Sequence, residues 1–157
     1  MPTIYLSPST QEFNEYADGL GTEEEWMNRL ADAMEPQLTA SGIRFTRNTP
    51  DMTAASSIQA SNAGSYDLHL ALHTNASGSG QAGRNRGILA FYYPGSPRGQ
   101  RAAEFFVDGL KAIYPLPALV RTGPTTTIGE VRRTRAPAVL LELGFHDNPE
   151  DAQWIVT

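Results

Sequence analysis

Two leucine-rich stretches constrain the fold most. "YDLHLALH" (66–73) and "RAPAVLLELGF" (135–145) are apolar runs of strand length. Runs of that kind belong in a sheet that is covered on both faces. Shorter segments repeat the signal: "TIYL" (3–6), "IRFTR" (43–47), "ILAFYY" (88–93) and "ALVRT" (118–122) read as further strands. Helix-period segments alternate with them at 22–42, 53–64, 99–114 and 148–156. In the first of these Thr22 caps, Glu25 takes the capping-box position, and Trp26, Leu30, Ala31, Met34 and Leu38 line one face. Pro36 is expected to kink its last turn or end it early. Asn148 caps the last helix, with Pro149 at its first position. The alternation predicts an α/β fold, a three-layer sandwich with a largely parallel mixed sheet flanked by helices, built from residues 1–157 as one domain.

Charge and composition narrow the function. Lys and Arg total 12 against 17 Asp and Glu, a net charge of −5. Nonspecific nucleic-acid binding needs clustered cations and is not expected. The basic residues do gather in "RNRG" (84–87) and in 121–135, which read as ligand-facing patches. The absence of cysteine excludes disulfides and thiolate metal sites. No apolar run reaches the roughly 20 residues that span a bilayer, so membrane insertion is not expected. No signal peptide precedes "TIYLS", which suggests a chain made in the cytoplasm or a domain cut from a longer secreted one. Gly- and polar-rich segments at 76–87 and 123–129 read as exposed loops beside a binding groove.

Ligands of open α/β sheets sit beyond the carboxyl ends of the strands. Two polar residues fall there in otherwise core-like runs: His73, ending "DLHLALH", and Glu142, inside "AVLLELGF". A carboxylate among apolar neighbours is costly unless it is metal-linked, catalytic or paired with a buried Arg. The sequence leaves those readings open. His69 precedes His73 by four residues, roughly 13 Å along a strand, so one ion cannot take both. His69 is expected in the core or behind the ligands, and His146, in the turn after Glu142, at the surface.

These motifs resemble the amidase-3 group of zinc-dependent N-acetylmuramoyl-L-alanine amidases, which hydrolyse peptidoglycan. "YDLHLALHTNAS" is similar to the family's D-x-x-x-x-x-H-x-N-A strand, and "APAVLLELGFHDNPED" to its P-A-V-L-x-E-x-G-F-x-x-N-x-x-E segment. "GTEEEWMNRLAD" is similar to the helix with an acidic zinc ligand eight residues before an Ala, here Glu23 before Ala31, with Glu24 one residue out of register. The resemblance implies that Glu23 and His73 bind zinc and that Glu142 is the catalytic acid/base. It also implies that Asn75 shapes the pocket. Arg132 aligns with a family arginine that either binds substrate or makes an ordinary salt bridge. The bond cleaved would join N-acetylmuramic acid to L-alanine in the bacterial cell wall, as in an endolysin or autolysin.

One departure stands out. The family's first zinc ligand is a His in a "DPGHGG"-like turn after the first strand. Here the turn is "LSPSTQEFN", and no histidine precedes residue 69. Thr10 or Gln11 falls at that place; the Gln11 side chain offers an amide oxygen, with Asn14 as another nearby candidate. An amide oxygen is a weaker zinc ligand than imidazole, so looser metal binding is expected. The alternative is a non-catalytic muropeptide- or wall-binding descendant that has lost its metal. A glycosidase would need Glu23 and Glu142 to flank a sugar bond with no metal between them. No H-E-x-x-H helix supports a zinc peptidase.

Overall fold

A computed structural model describes residues 1–157. Its single sheet contains β1 (Thr3–Pro8), β2 (Arg44–Arg47), β3 (Leu68–Asn75), β4 (Ile88–Tyr92), β5 (Val120–Pro124) and β6 (Ala138–Phe145). The strand order is β2-β1-β3-β6-β4-β5. Every neighbouring pair is parallel except β4 and β6, which run antiparallel. The helices are α1 (Glu23–Ala40), α2 (Ala54–Ala63), α3 (Pro97–Lys111), α4 (Gly129–Arg132) and α5 (Pro149–Val156). This is the predicted α/β sandwich on a mixed, largely parallel sheet.

The pleat sorts the two faces. Leu6, Leu70, Leu72, Val139, Leu141 and Leu143 join Met27 and Ala31 of α1 and Ala103 and Val107 of α3 in one buried cluster. Trp154 and Ile155 of α5 pack against it. Each such leucine contributes about 1.5–3 kcal/mol by leaving water. The smaller opposite cluster joins Ala71 of β3 and Leu140 of β6 to Val131 of α4. His69, His73 and Glu142 share the parity of Ala71 and Leu140, so they belong to this second face.

Thr22 and Asn148 cap as expected, but the capping box of α1 is half made, because the Glu25 carboxylate pairs with Arg29 at 2.9 Å. Thr22 Oγ1 accepts from the Glu25 amide at 3.2 Å, and Asn148 Oδ1 accepts from the Glu150 and Asp151 amides. Pro36 lies inside α1 without ending it, and the helix runs a full turn further to Ala40. The strand expected at 118–122 is displaced, because Pro117–Leu119 forms a 3-10 turn and β5 starts at Val120. The expected 123–129 loop is shorter than its sequence suggests, because β5 takes Gly123 and Pro124 and α4 begins at Gly129. A four-residue helix holds about one turn, too little for an apolar period to show.

A bulge shapes the end of β6. His73 pairs with Glu142 and Asn75 with Phe145, so two steps on β3 oppose three on β6. Gly144 takes φ +104° there, a backbone conformation that side-chain-bearing residues rarely adopt. Bulges of this kind bend a strand and re-aim its neighbours beside a site. Fully buried Asp151 holds the bend from α5, accepting from the Phe145 and Gly87 amides and from Arg86 Nε.

Candidate active site

Three segments distant in sequence meet at the carboxyl ends of β1, β3 and β6. The parallel register sets His73 directly beside Glu142. The first residue of α1, Glu23, reaches the same point with only 1% of its side chain exposed. Its Oε2 lies 2.8 Å from His73 Nδ1, but the alignment is not that of a hydrogen bond, and Oε2 is enclosed with no hydrogen-bond partner. Glu23 and not Glu24 is therefore the carboxylate that faces the histidine.

The turn after β1 supplies the amides. Asn14 Nδ2 donates to Glu23 Oε1 at 2.8 Å and to Gln11 Oε1 at 2.5 Å. That bridge brings the Gln11 side-chain oxygen next to the Glu23 carboxylate. The Gln11 amide donates to Ser9 Oγ at 3.1 Å, which steadies the turn. Gln11, Ser9, Asn48, Ser57, His73 and Glu130 line one polar cavity of about 260 Å³.

Sequence reasoning missed Glu130. It sits in α4, buried, with its Oε2 3.1 Å from His73 Nε2 and its Oε1 3.1 Å from His69 Nε2. Ser7 Oγ donates to the same Oε1 at 2.5 Å. His69 Nδ1 lies 2.9 Å from Ser61 Oγ on α2. One carboxylate thus ties together the two histidines that are too far apart to share an ion. Between "TTTI" and a run of arginines Glu130 looks like surface, and the one hint is Ile128 and Val131 bracketing it at a helical spacing of three.

Comparison with known proteins gives the family. A profile described as N-acetylmuramoyl-L-alanine amidase, of the amidase-3 group, matches residues 11–157. The chain belongs to that family. Among solved structures it is similar to the catalytic domain of the CD27L endolysin targeting Clostridia difficile, with 23% identity over 98% of this chain and 87% of that one and a TM-score of 0.78. It is also similar to the amidase AmiC2 of Nostoc punctiforme, at 13% identity over 99% of this chain and 86% of that one, TM-score 0.84. Ami1 from Mycobacterium smegmatis gives 16% identity, 99% and 88% coverage and a TM-score of 0.81. At these identities the likeness is one of fold. No curated protein matches the chain in sequence.

Electrostatics set the carboxylates around His73 apart. Burial raises the Glu142 carboxyl from 4.5 to about 7; the charge of His73 opposes that rise and the charge of Glu23 adds to it. Its Oε2 is enclosed and has no hydrogen-bond partner. No arginine pairs with Glu142, so the buried-Arg reading left open by the sequence does not apply. For Glu130, burial alone would raise the carboxyl, but hydrogen bonds to His69 and His73 hold it down at about 2. For His73, burial opposes the charged ring, while Glu130 and Glu23 outweigh burial and raise it to about 10. Glu23 is lowered likewise, with burial opposed by His73 and Asn14. Two carboxylates thus hold their charge against one imidazole while a third beside it keeps a proton near neutrality.

The remaining candidates lie at differing places. Asn75 ends β3, its Oδ1 accepting from the Ala76 amide and its carbonyl from the His146 amide. It borders the bulge two residues beyond His73. Arg132 is exposed at the end of α4, in a surface cavity with Tyr93, Arg98, Arg135 and Pro137 that contains none of Glu23, His73 or Glu142. It forms no salt bridge. His146 is not at the surface: it is 5% exposed, its Nδ1 is 2.9 Å from Thr74 Oγ1, and its ring stacks on Tyr16 at 5.6 Å. The turn after β6 folds back over the bulge and takes that ring inside.

The donors present fit a divalent ion in a limited way. No three His, Cys, Asp or Glu side chains converge on one point. Glu23 Oε2 and His73 Nδ1 do converge, with no hydrogen bond consuming either, and Asn14 links the neutral oxygen of Gln11 to the other oxygen of the same carboxylate. A carboxylate and an imidazole are ordinary zinc donors, and a neutral amide oxygen is a weaker donor than a second imidazole. No helix is long and apolar enough to cross a membrane.

Proposed function

We propose that this chain is a zinc-dependent N-acetylmuramoyl-L-alanine amidase that hydrolyses the amide between N-acetylmuramic acid and L-alanine in bacterial peptidoglycan. The observation that carries the reading is the register of β3 and β6, which sets Glu142, whose carboxyl exchanges its proton near neutrality, beside His73 while Glu23 Oε2 faces His73 Nδ1. Glu23, His73 and Gln11 are the residues that would hold the ion. When bound, zinc supplies Lewis acidity toward the scissile carbonyl and acidifies a water.

The chain's own residues do the proton work. Glu142, with a carboxyl near pH 7, accepts a proton from the attacking water and delivers one to the departing L-alanine nitrogen. Asn14 orients Glu23 and Gln11 together, and Asn75 fixes the end of β3 that presents His73. Arg132, on α4 away from these groups, is assigned to contact with a more distant part of the glycan–peptide substrate. Residues 1–157 are read as a catalytic domain acting at the bacterial wall, a reading that the family match over residues 11–157 supports.

Glu142→Gln tests the role. Turnover should fall about 10²- to 10⁴-fold, the usual worth of a positioned acid/base, while bound zinc stays constant. Loss of zinc together with activity would make Glu142 a ligand and sink the assignment. A second reading, binding of muropeptide without metal or turnover, is favoured because no three His, Asp or Glu side chains are grouped so as to hold one ion. It predicts no stoichiometric zinc in the purified wild type.

A further inference from the structure

The zinc reading leaves one buried group unexplained. Glu130 is a carboxylate buried beneath the sheet face, and both of its oxygens are committed. Oε1 takes Ser7 Oγ and faces His69 Nε2, whose other nitrogen is tied to Ser61. Oε2 faces His73 Nε2 at 3.1 Å. The ring of His73 therefore has one edge, Nε2, on Glu130 and the other, Nδ1, on Glu23 Oε2.

We propose that Glu130 is a positioning residue for His73: it accepts the Nε2–H, fixes the ring plane, and presents Nδ1 to the place shared with Glu23 and Gln11. A histidine that ligates a metal through one nitrogen commonly donates the other N–H to a carboxylate, which fixes the tautomer and makes the ligating nitrogen more basic. Here that partner is anchored in turn by Ser7, His69 and Ser61, so the ring is held from behind by three elements, β1, β3 and α2. The arrangement answers the missing histidine. Where an amide oxygen replaces an imidazole among the ligands, a better-oriented and more basic His73 offsets part of the loss.

This inference rests on the zinc reading, and its test separates the two. Wild type and Glu130→Gln are titrated with zinc against a chromophoric chelator. The glutamine keeps the shape and one acceptor oxygen but removes the charge. Zinc affinity should fall about 10- to 100-fold, with the melting temperature of the metal-free proteins reported alongside. A purely structural role would move the melting temperature and leave the affinity unchanged. Cadmium-113-loaded, nitrogen-15-labelled wild type gives a readout that needs no variant: metal coupling should appear on His73 Nδ1, with a slowly exchanging proton on Nε2. Coupling on Nε2, or equal zinc affinity in the two proteins, would overturn the role of Glu130 while zinc binding stands. Absence of metal uptake by the wild type would overturn the zinc reading and this inference with it.

Discussion

Replacing Glu142 with glutamine should stabilise the metal-free protein, and the gain should depend on pH. In the folded chain burial holds the Glu142 carboxyl at about 7, against 4.5 for the unperturbed group. A carboxyl raised on folding favours the folded state fully below its unfolded value, and that contribution is lost as pH rises through the folded value. The window therefore runs from about pH 4.5 to about pH 7. At about 1.4 kcal/mol per pH unit the full loss is about 3 kcal/mol. A glutamine side chain cannot ionise, so the variant escapes it. The assay is urea unfolding of wild type and Glu142→Gln in the presence of a chelator, at pH 5 and pH 8.5. Groups distant from Glu142 cancel in the difference between the two proteins, and His73 and Glu23, which act on it with opposite signs, are the two that do not. The variant's advantage should be small at pH 5 and grow by about 2–3 kcal/mol at pH 8.5. An advantage that does not change with pH, or that shrinks as pH rises, would refute a proton held on Glu142.

Two further perturbations probe the turn and the bulge. Gln11→Ala should weaken zinc binding by about tenfold or more, the scale on which even an outer partner of a ligand counts; unchanged affinity in a chelator competition would move the third ligand to another group. Gly144→Ala should destabilise the fold by about 1–3 kcal/mol, because a Cβ at φ +104° is strained and would sit 3.3 Å from Ile155 Cδ1. Thermal unfolding reads that loss, and an unshifted melting temperature would mean the bulge relaxes freely.

The parts of the site that lie on long, strongly patterned elements were legible in the sequence. His73 and Glu142 stand out because each interrupts an apolar strand, and in a parallel sheet strands of that length must end near one another. Glu23 is legible only through its spacing to Ala31, since three acids in a row fill the first turn of α1 and any of them suits a helix N-terminus. Geometry selects it, because only Glu23 turns inward onto His73. Glu130 was hidden by a different cause: one helical turn carries no period, and flanking arginines imitate solvent-facing sequence. His146 was misplaced because a turn residue next to Asp and Asn looks exposed, whereas the turn closes over the bulge. Tertiary return of the chain, invisible to local pattern, decides both residues.

The chain's amidase activity is tested most directly by mass spectrometry of the soluble products after digestion of purified peptidoglycan, with added zinc and with chelator. Free stem peptides bearing a new L-alanine amino terminus should be released with zinc and not with chelator. Glycan or peptide fragments cut at any other bond, or no release from a protein that binds no zinc, would contradict that activity.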